Sequence, residues 1–219
     1  MLWRCIKTED ILSNNRLVWD RIHLEGYHGY TTYPRLNELI INLPIGWLNK
    51  NQVLLEIGCG VGHFMEAFAP MVREVHGVDI SEKALKLGAK RLSHLKNAYF
   101  HVTKGNELSA FQDATFDLVY SVACFQHIPK KITCDYLKEA FRVLKPLGLL
   151  VFQVITYHDP QINLLDITLI EKEKTIGYSR EQIVQMVNEN GLSLESINYQ
   201  KLKCEAKKRA AWFWTVCKK

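Results

Sequence analysis

The stretch Val53-Leu54-Leu55-Glu56-Ile57-Gly58-Cys59-Gly60-Val61-Gly62 constrains the fold more than any other part of the chain. An apolar run carrying a single carboxylate breaks into three alternating glycines, and His63 to Met71 then reads as a helix. A strand of that composition suits a parallel sheet covered by helices on both faces. Glycines at the turn permit a sharp reversal and let a ligand approach the backbone with no Cβ in the way. The helix that follows would aim free N–H groups and its dipole at such a ligand.

The spacing of the glycines discriminates between ligand classes. A dinucleotide-binding G-x-G-x-x-G turn would place its third glycine at 63, but His63 stands there and the third glycine is Gly62. Glu74-Val75-His76-Gly77-Val78-Asp79 reads as a second buried strand ending in a carboxylate. That carboxylate lies about 20 residues past the glycine turn, the position that accepts both ribose hydroxyls of an adenosine-type ligand. The alternative is that Asp79 caps the next helix, a role Ser81 can fill alone.

The E-x-G-x-G-x-G pattern from Glu56 to Gly62 resembles motif I of the class I S-adenosylmethionine-dependent methyltransferases. Phe116-Asp117-Leu118-Val119-Tyr120-Ser121, followed by Phe125-Gln126-His127-Ile128-Pro129, resembles motif IV and its loop in small-molecule members. Arg142-Val143-Leu144-Lys145-Pro146-Leu147-Gly148 is similar to a further string of that family. The resemblance runs over residues 50–217 in motif order. It implies an α/β fold, a doubly wound Rossmann-like sheet of seven strands with the last antiparallel and helices on both faces. It also implies S-adenosylmethionine as cofactor, S-adenosylhomocysteine as product, and methyl transfer to an oxygen or nitrogen of a small-molecule acceptor. Base-modifying relatives carry an Asn/Asp-Pro-Pro-aromatic motif or a Pro-Cys nucleophile at the fourth strand. Here Cys124 follows Ala123, so a nucleic-acid substrate is not expected. Cys59 and Cys124 read as small apolar fillers.

On the same resemblance, cofactor contacts are expected from Glu56, Gly58, Cys59, Gly60, Asp79, Ile80, Gly105, Asn106, Ser121 and Phe125. Tyr33 and Arg35, at the start of a lead-in helix, are candidates for the methionine carboxylate, with a solvated Arg35 as the alternative. Lys104 stands where relatives have an Asp or Asn that accepts from the adenine amino group. Lysine has no acceptor, so Asn106 or a main-chain carbonyl takes that part, or the loop register differs by a residue or two. His127 is the candidate general base or acceptor contact, and equally a residue that caps the next helix or binds backbone; His28, Tyr30 and His158 are weaker candidates. A base is needed only for an acceptor that is protonated at working pH.

The remaining elements follow from periodicity and breakers. Leu36, Leu39, Ile40 and Leu43 predict a helix over 34–48 that Pro44 stops, and Ser81 to Leu95 another. Ala98 to Val102 reads as a strand, Tyr136 to Leu144 as a helix, and Leu149 to Ile155 as an apolar strand after a turn at 145–148. Ser179 to Asn190 has a serine N-cap and a Gly191 stop, and Leu192 to Tyr199 with Ala211 to Val216 predicts a closing antiparallel hairpin. Residues 1–48 form a cap with lead-in helices, rich in aromatic and charged side chains, that either meets a polar substrate or packs on the sheet rim. Residues 157–177 are a candidate substrate-covering insertion.

A chain of 219 residues favours one domain, and 47% hydrophobic with 23% charged residues is ordinary for a soluble protein. No apolar run reaches the roughly 20 residues of a membrane span, and the N-terminus lacks a secretion-type core. Six cysteines without a C-x-x-C pair argue against zinc or disulfides and for a reducing cytoplasm. The net charge of +5 includes Lys201, Lys203, Lys207, Lys208 and Arg209, a solvated edge or, less simply, a phosphate-binding cluster. Two rival classes remain open: a nicotinamide-dependent oxidoreductase, disfavoured by His63, and a cofactor-binding subunit without catalysis. Oligomeric state is not legible.

Overall fold

The computed structural model describes residues 8–24, 33–158, 175–201 and 210–219, with side chains described over 12–22 in the first helix and from residue 36 in the second. The strands are β1 (Val53–Ile57), β2 (Glu74–Asp79), β3 (Ala98–Val102), β4 (Phe116–Ser121), β5 (Leu144–Tyr157), β6 (Ser193–Lys201) and β7 (Ala210–Lys218). They form one seven-stranded sheet in the order β3-β2-β1-β4-β5-β7-β6. Neighbours from β3 to β5 are parallel, and β7 is antiparallel to both β5 and β6. The helices are α1 (Thr8–Leu24), α2 (Tyr33–Ile40), α3 (His63–Phe68), α4 (Glu82–Arg91), α5 (Lys130–Val143) and α6 (Arg180–Glu189). This is the doubly wound sheet that the sequence predicts.

Every residue of β1 is buried, as a central strand covered on both faces must be. On one face Leu39, Phe64, Met65, Phe68 and Leu85 from α2, α3 and α4 pack against Leu54, Tyr120 and Trp214. On the other, Tyr136, Leu137, Ala140, Ile183 and Val187 from α5 and α6 pack against Leu55, Val119 and Leu150. The chain winds outward from β1 to β3 and then returns to β4. Successive loops therefore diverge at the carboxyl ends of β1 and β4, and that divergence opens a crevice where open α/β sheets bind ligands. No helix among the described residues is long and apolar enough to cross a membrane.

The three largest departures from the expected boundaries are these. Helix α2 ends at Ile40 rather than near 48; Asn42 Nδ2 donates to the Glu38 carbonyl at 2.6 Å, and turns follow through Leu43 to Pro44. The hydrophobic spacing thus outlasts the helix, because Leu43 stays buried in the turn. Helix α5 begins at Lys130, not 136, with Pro129 at its N-cap; two exposed-type lysines open it and mask a stripe that already includes buried Ile132 and Thr133. Strand β5 begins at Leu144, because the expected turn is a bulge inside it. Phe116 pairs with Leu144 and Leu118 with Leu149, and Leu147 adopts φ 66° in between. Helix α6 matches its signals: Ser179 and Gln182 form a capping box, and Gly191 has φ 77°.

At the β2–β3 edge two histidines lie side by side, His76 Nδ1 and His101 Nε2 being 3.0 Å apart with rings stacked at 5.2 Å. Phe111 meets both rings edge-on, and Glu74 lies 3.3 Å from His76 Nε2. Burial lowers the pKa of both, opposed at His76 by Glu74 and reinforced at His101 by the charge of His76. A depressed histidine pKa means that the unfolded chain binds more protons, so stability is full above about 6.5 and falls as pH drops through the folded values. Melting temperature measured between pH 7.5 and 5 should therefore fall, and His101→Gln should flatten that decline; an unchanged slope in the variant would show that the pair does not titrate on unfolding.

Candidate active site

The β1–α3 loop is built around positions that exclude side chains. Gly58 has φ 75°, and a Cβ there would run into Cys124 Sγ. The Gly58 and Cys59 N–H groups donate to the Val78 carbonyl at 2.9 and 3.0 Å, which locks the loop onto the end of β2. Gly62, at φ 77°, is the N-cap of α3, and a Cβ on it would press into the Phe100 ring.

Asp79 at the end of β2 joins three elements. Its Oδ2 accepts from the Gly60 N–H at 2.8 Å and its Oδ1 from the Ser81 N–H at 2.9 Å. The N-cap of α4 is Ser81, whose hydroxyl accepts from the Ala84 N–H and donates to Asp20 Oδ1 of α1 at 2.6 Å. Capping is therefore the work of Ser81, and the Asp79 carboxylate faces the glycine loop.

Glu56, 2% exposed, accepts a hydrogen bond from the Tyr120 hydroxyl at 3.2 Å. Burial holds its carboxyl well above the ordinary range; the Tyr120 bond opposes this and the Asp79 charge adds to it. Burial and then the same Asp79 charge raise Cys59 and push Cys124 up to about 12. Both thiols are protonated and inert at neutral pH, which suits apolar fillers beneath the loop. The crevice floor thus combines a negative group with acids whose pKa burial raises, an environment that favours a ligand bearing positive charge.

The loop after β3 forms the next wall. Thr103 donates to the Glu107 carbonyl at 2.7 Å. The Glu107 carboxylate accepts from the Lys104 and Ser109 N–H groups; desolvation opposes, but these bonds hold it below its ordinary value. Gly105 has φ 106°, and a Cβ there would lie 2.8 Å from both Ile80 Cδ1 and Leu12 Cδ2. Asn106 is partly exposed and Lys104 exposed.

The structure thus gathers Glu56, Gly58, Cys59, Gly60, Asp79, Ile80, Gly105 and Asn106 at the carboxyl ends of β1, β2 and β3. Ser121, at the end of β4, donates its hydroxyl to the Ile57 carbonyl at 3.0 Å and so ties β4 to β1. Phe125 lies in the core, with Tyr136 stacked at 6.1 Å and Phe152 at 5.6 Å. His127 closes a 3-10 turn (Phe125–His127), and its ring meets Trp19 of α1 edge-on at 5.4 Å. His158 is exposed beside the Tyr199 hydroxyl at 3.0 Å, away from the glycine loop on β6. The side chains of Tyr33 and Arg35, residues His28 and Tyr30, and positions 159–174 of the expected insertion lie outside the described residues. Sequence reasoning missed how α1 meets this crevice through Leu12, Trp19 and Asp20. The signal was a stripe at i, i+3 and i+7, hidden because its middle member, Asn15, is polar.

Burial raises the pKa of Glu56 in the fold, so its contribution to stability is full below about pH 4.3 and is lost as pH rises towards the folded value. Glu56→Gln should melt higher than the wild type, by a margin that widens from pH 5 to pH 8, with about 2–4 °C for each kcal/mol relieved. Equal melting temperatures at both pH values would mean that Glu56 is ionised in the folded chain.

Comparison with known proteins agrees with this geometry. The methyltransferase-domain family model matches residues 55–152. Malonyl-[acyl-carrier protein] O-methyltransferase of Marinomonas sp. (strain MWYL1) is 27% identical over 178 residues, 78% of this chain and 64% of that protein. Demethylmenaquinone methyltransferase of Geobacillus sp. (strain WCH70) is 29% identical over 146 residues, 60% of this chain and 62% of that protein. The chain spans less than two thirds of the length of these curated relatives. Among solved structures, a phosphoethanolamine N-methyltransferase 2 of Haemonchus contortus, in complex with phosphomonomethylethanolamine and S-adenosylhomocysteine, superposes with a TM-score of 0.74 at 17% identity, covering 98% of this chain and 61% of that one. The glycine loop and the carboxylate at the end of β2 both lie inside the matched methyltransferase-domain segment, and the S-adenosylmethionine-dependent methyltransferases are the family to which this chain is similar.

Proposed function

We propose that the chain transfers the methyl group of S-adenosylmethionine to an oxygen or nitrogen of a small-molecule acceptor. The observation that carries this reading is the glycine loop clasped by Asp79: Gly58 has no room for a side chain, and the carboxylate beside it is fixed by two backbone N–H groups. Those residues fit the cofactor. Gly58, Cys59 and Gly60 offer a surface without side-chain obstruction for its amino-acid end. Asp79 is the carboxylate set to accept from the ribose hydroxyls, and Ile80, Gly105 and Asn106 border the adenine side. When bound, the cofactor supplies a methyl already activated on a sulfonium.

The chain's own part is to bind, orient and exclude water. Asp79 favours the ligand's positive charge, and cofactor binding near Glu56 would draw its raised pKa downward. Ser121 and Phe125, with polar group and ring committed to Ile57 and to the core, hold the end of β4 and the 3-10 turn in register. His127 is positioned by Trp19 at the rim, where it would orient the acceptor. The acceptor is taken as small because the residues after β4, Val122-Ala123-Cys124, lack the motifs of base-modifying enzymes. The named relatives act on malonyl-acyl-carrier protein and demethylmenaquinone, which leaves the acceptor's identity open within that class. A reducing cytoplasm accords with the free thiols of Cys59, Cys124 and Cys217.

Saturating S-adenosylhomocysteine should raise the melting temperature of the full chain through selective binding to the fold, and NAD should not; the reverse pattern would overturn the reading. Asp79→Ala should weaken S-adenosylhomocysteine binding in calorimetry by roughly 30–150-fold, about 2–3 kcal/mol. An unchanged affinity in a variant of native circular dichroism would restrict Asp79 to holding the loop.

A further inference from the structure

Helix α1 crosses the crevice and touches it at three described points. Leu12 reaches the wall made by Ile80 and Gly105, Asp20 accepts from the Ser81 hydroxyl, and Trp19 packs on His127. Asn15 stands between Leu12 and Trp19 at i+3 and i−4, which places all three on one helical face. It is 3% exposed, and its Nδ2 has no hydrogen-bond partner. Buried polar groups in native proteins are nearly always paired, and a buried donor left unpaired costs about 1–3 kcal/mol. The helical rise sets Asn15 only about 4.5 Å along the axis from Leu12. The unpaired amide therefore shares the helical face whose Leu12 meets the Ile80–Gly105 wall.

Apart from the partly exposed Asn106, the wall is poor in side-chain acceptors. Lys104 carries donors only and is exposed. The Glu107 carboxylate already takes the N–H groups of Lys104 and Ser109. A purine base lying against the wall that Ile80 and Gly105 form would have its polar edge towards the loop or towards α1, and α1 holds the buried, unpaired amide.

We propose that Asn15 reads the adenine of the cofactor, its Nδ2 donating to a ring nitrogen and its Oδ1 accepting from the exocyclic amino group. This is the two-bond pairing that asparagine makes with the adenine edge in nucleic-acid recognition. The assignment rests on the cofactor reading above and makes α1 a specificity element as well as a cover. A base whose amino group is replaced by an oxo group would present an acceptor to the Asn15 oxygen and lose that bond.

The test uses the full chain, with S-adenosylhomocysteine and S-inosylhomocysteine as probes in calorimetry. The wild type should prefer the adenine compound. Asn15→Leu should bind S-adenosylhomocysteine roughly tenfold more weakly, about 1.4 kcal/mol, and its preference over the inosine compound should shrink by a similar factor. The melting temperature of the ligand-free variant should stay level or rise, because a buried unpaired donor is gone. Asn15→Ala serves as a second variant if the leucine does not fit, and should lose the same preference. An affinity within twofold of wild type in both variants would overturn the proposal, as would an equal weakening for both compounds. A wild type that binds neither compound would instead overturn the cofactor reading, and this assignment with it.

Discussion

The clasp of Asp79 on the Gly60 and Ser81 N–H groups is the interaction on which the rest of the crevice depends. Parallel strands leave their loops to find partners individually, since no hairpin joins them. One carboxylate here satisfies a donor from the β1–α3 loop and another at the start of α4, and Ser81 extends the chain of bonds to Asp20 on α1. Three segments distant in sequence are thereby held around a single acidic side chain. Its charge is felt at Glu56, Cys59 and Cys124, so the same residue sets both the geometry and the electrostatics of the floor.

The second constraint is steric. Cys124 comes up under Gly58 so closely that only glycine fits, and Gly77 is likewise covered by Met65 and Cys59. The backbone of the loop is thus pressed onto β2 and β4 rather than suspended over them. A rigid loop of this kind can present its surface to a ligand at little ordering cost. The two thiols serve as compact, adaptable filling, and burial keeps them from acting as nucleophiles.

Much of this was legible in the sequence because local chemistry and tertiary packing agree there. Strands β3 and β4 fall on the predicted residues, since continuous apolar runs bounded by breakers have few other readings. Helix α6 shows its cap and its stop in plain residue types. Legibility failed where packing overrides periodicity. Leu43 is buried without being helical, and Lys130 and Lys131 begin a helix that only its second turn reveals. The loop 145–148 is a bulge inside a strand because Leu147 accepts a left-handed φ. At the site, the glycines and Asp79 declared themselves through spacing. Helix α1 did not, because Asn15 interrupts the apolar stripe that would have marked its inner face.

The position of β7 between β5 and β6 has a consequence for how the chain is made. β5 pairs with β7 along nine residues, from Leu149 to Tyr157, and among the described residues β6 has only β7 as its neighbour. As the polypeptide emerges from the ribosome, β1 to β5 can assemble in succession, but β5 keeps an open, apolar edge until the seventh strand has been synthesised. β6 emerges earlier with nothing to pair with. The sheet therefore closes by late insertion of β7 between β5 and the edge strand, a step of long sequence separation that slows folding and leaves an unpaired edge exposed to other nascent chains in the meantime.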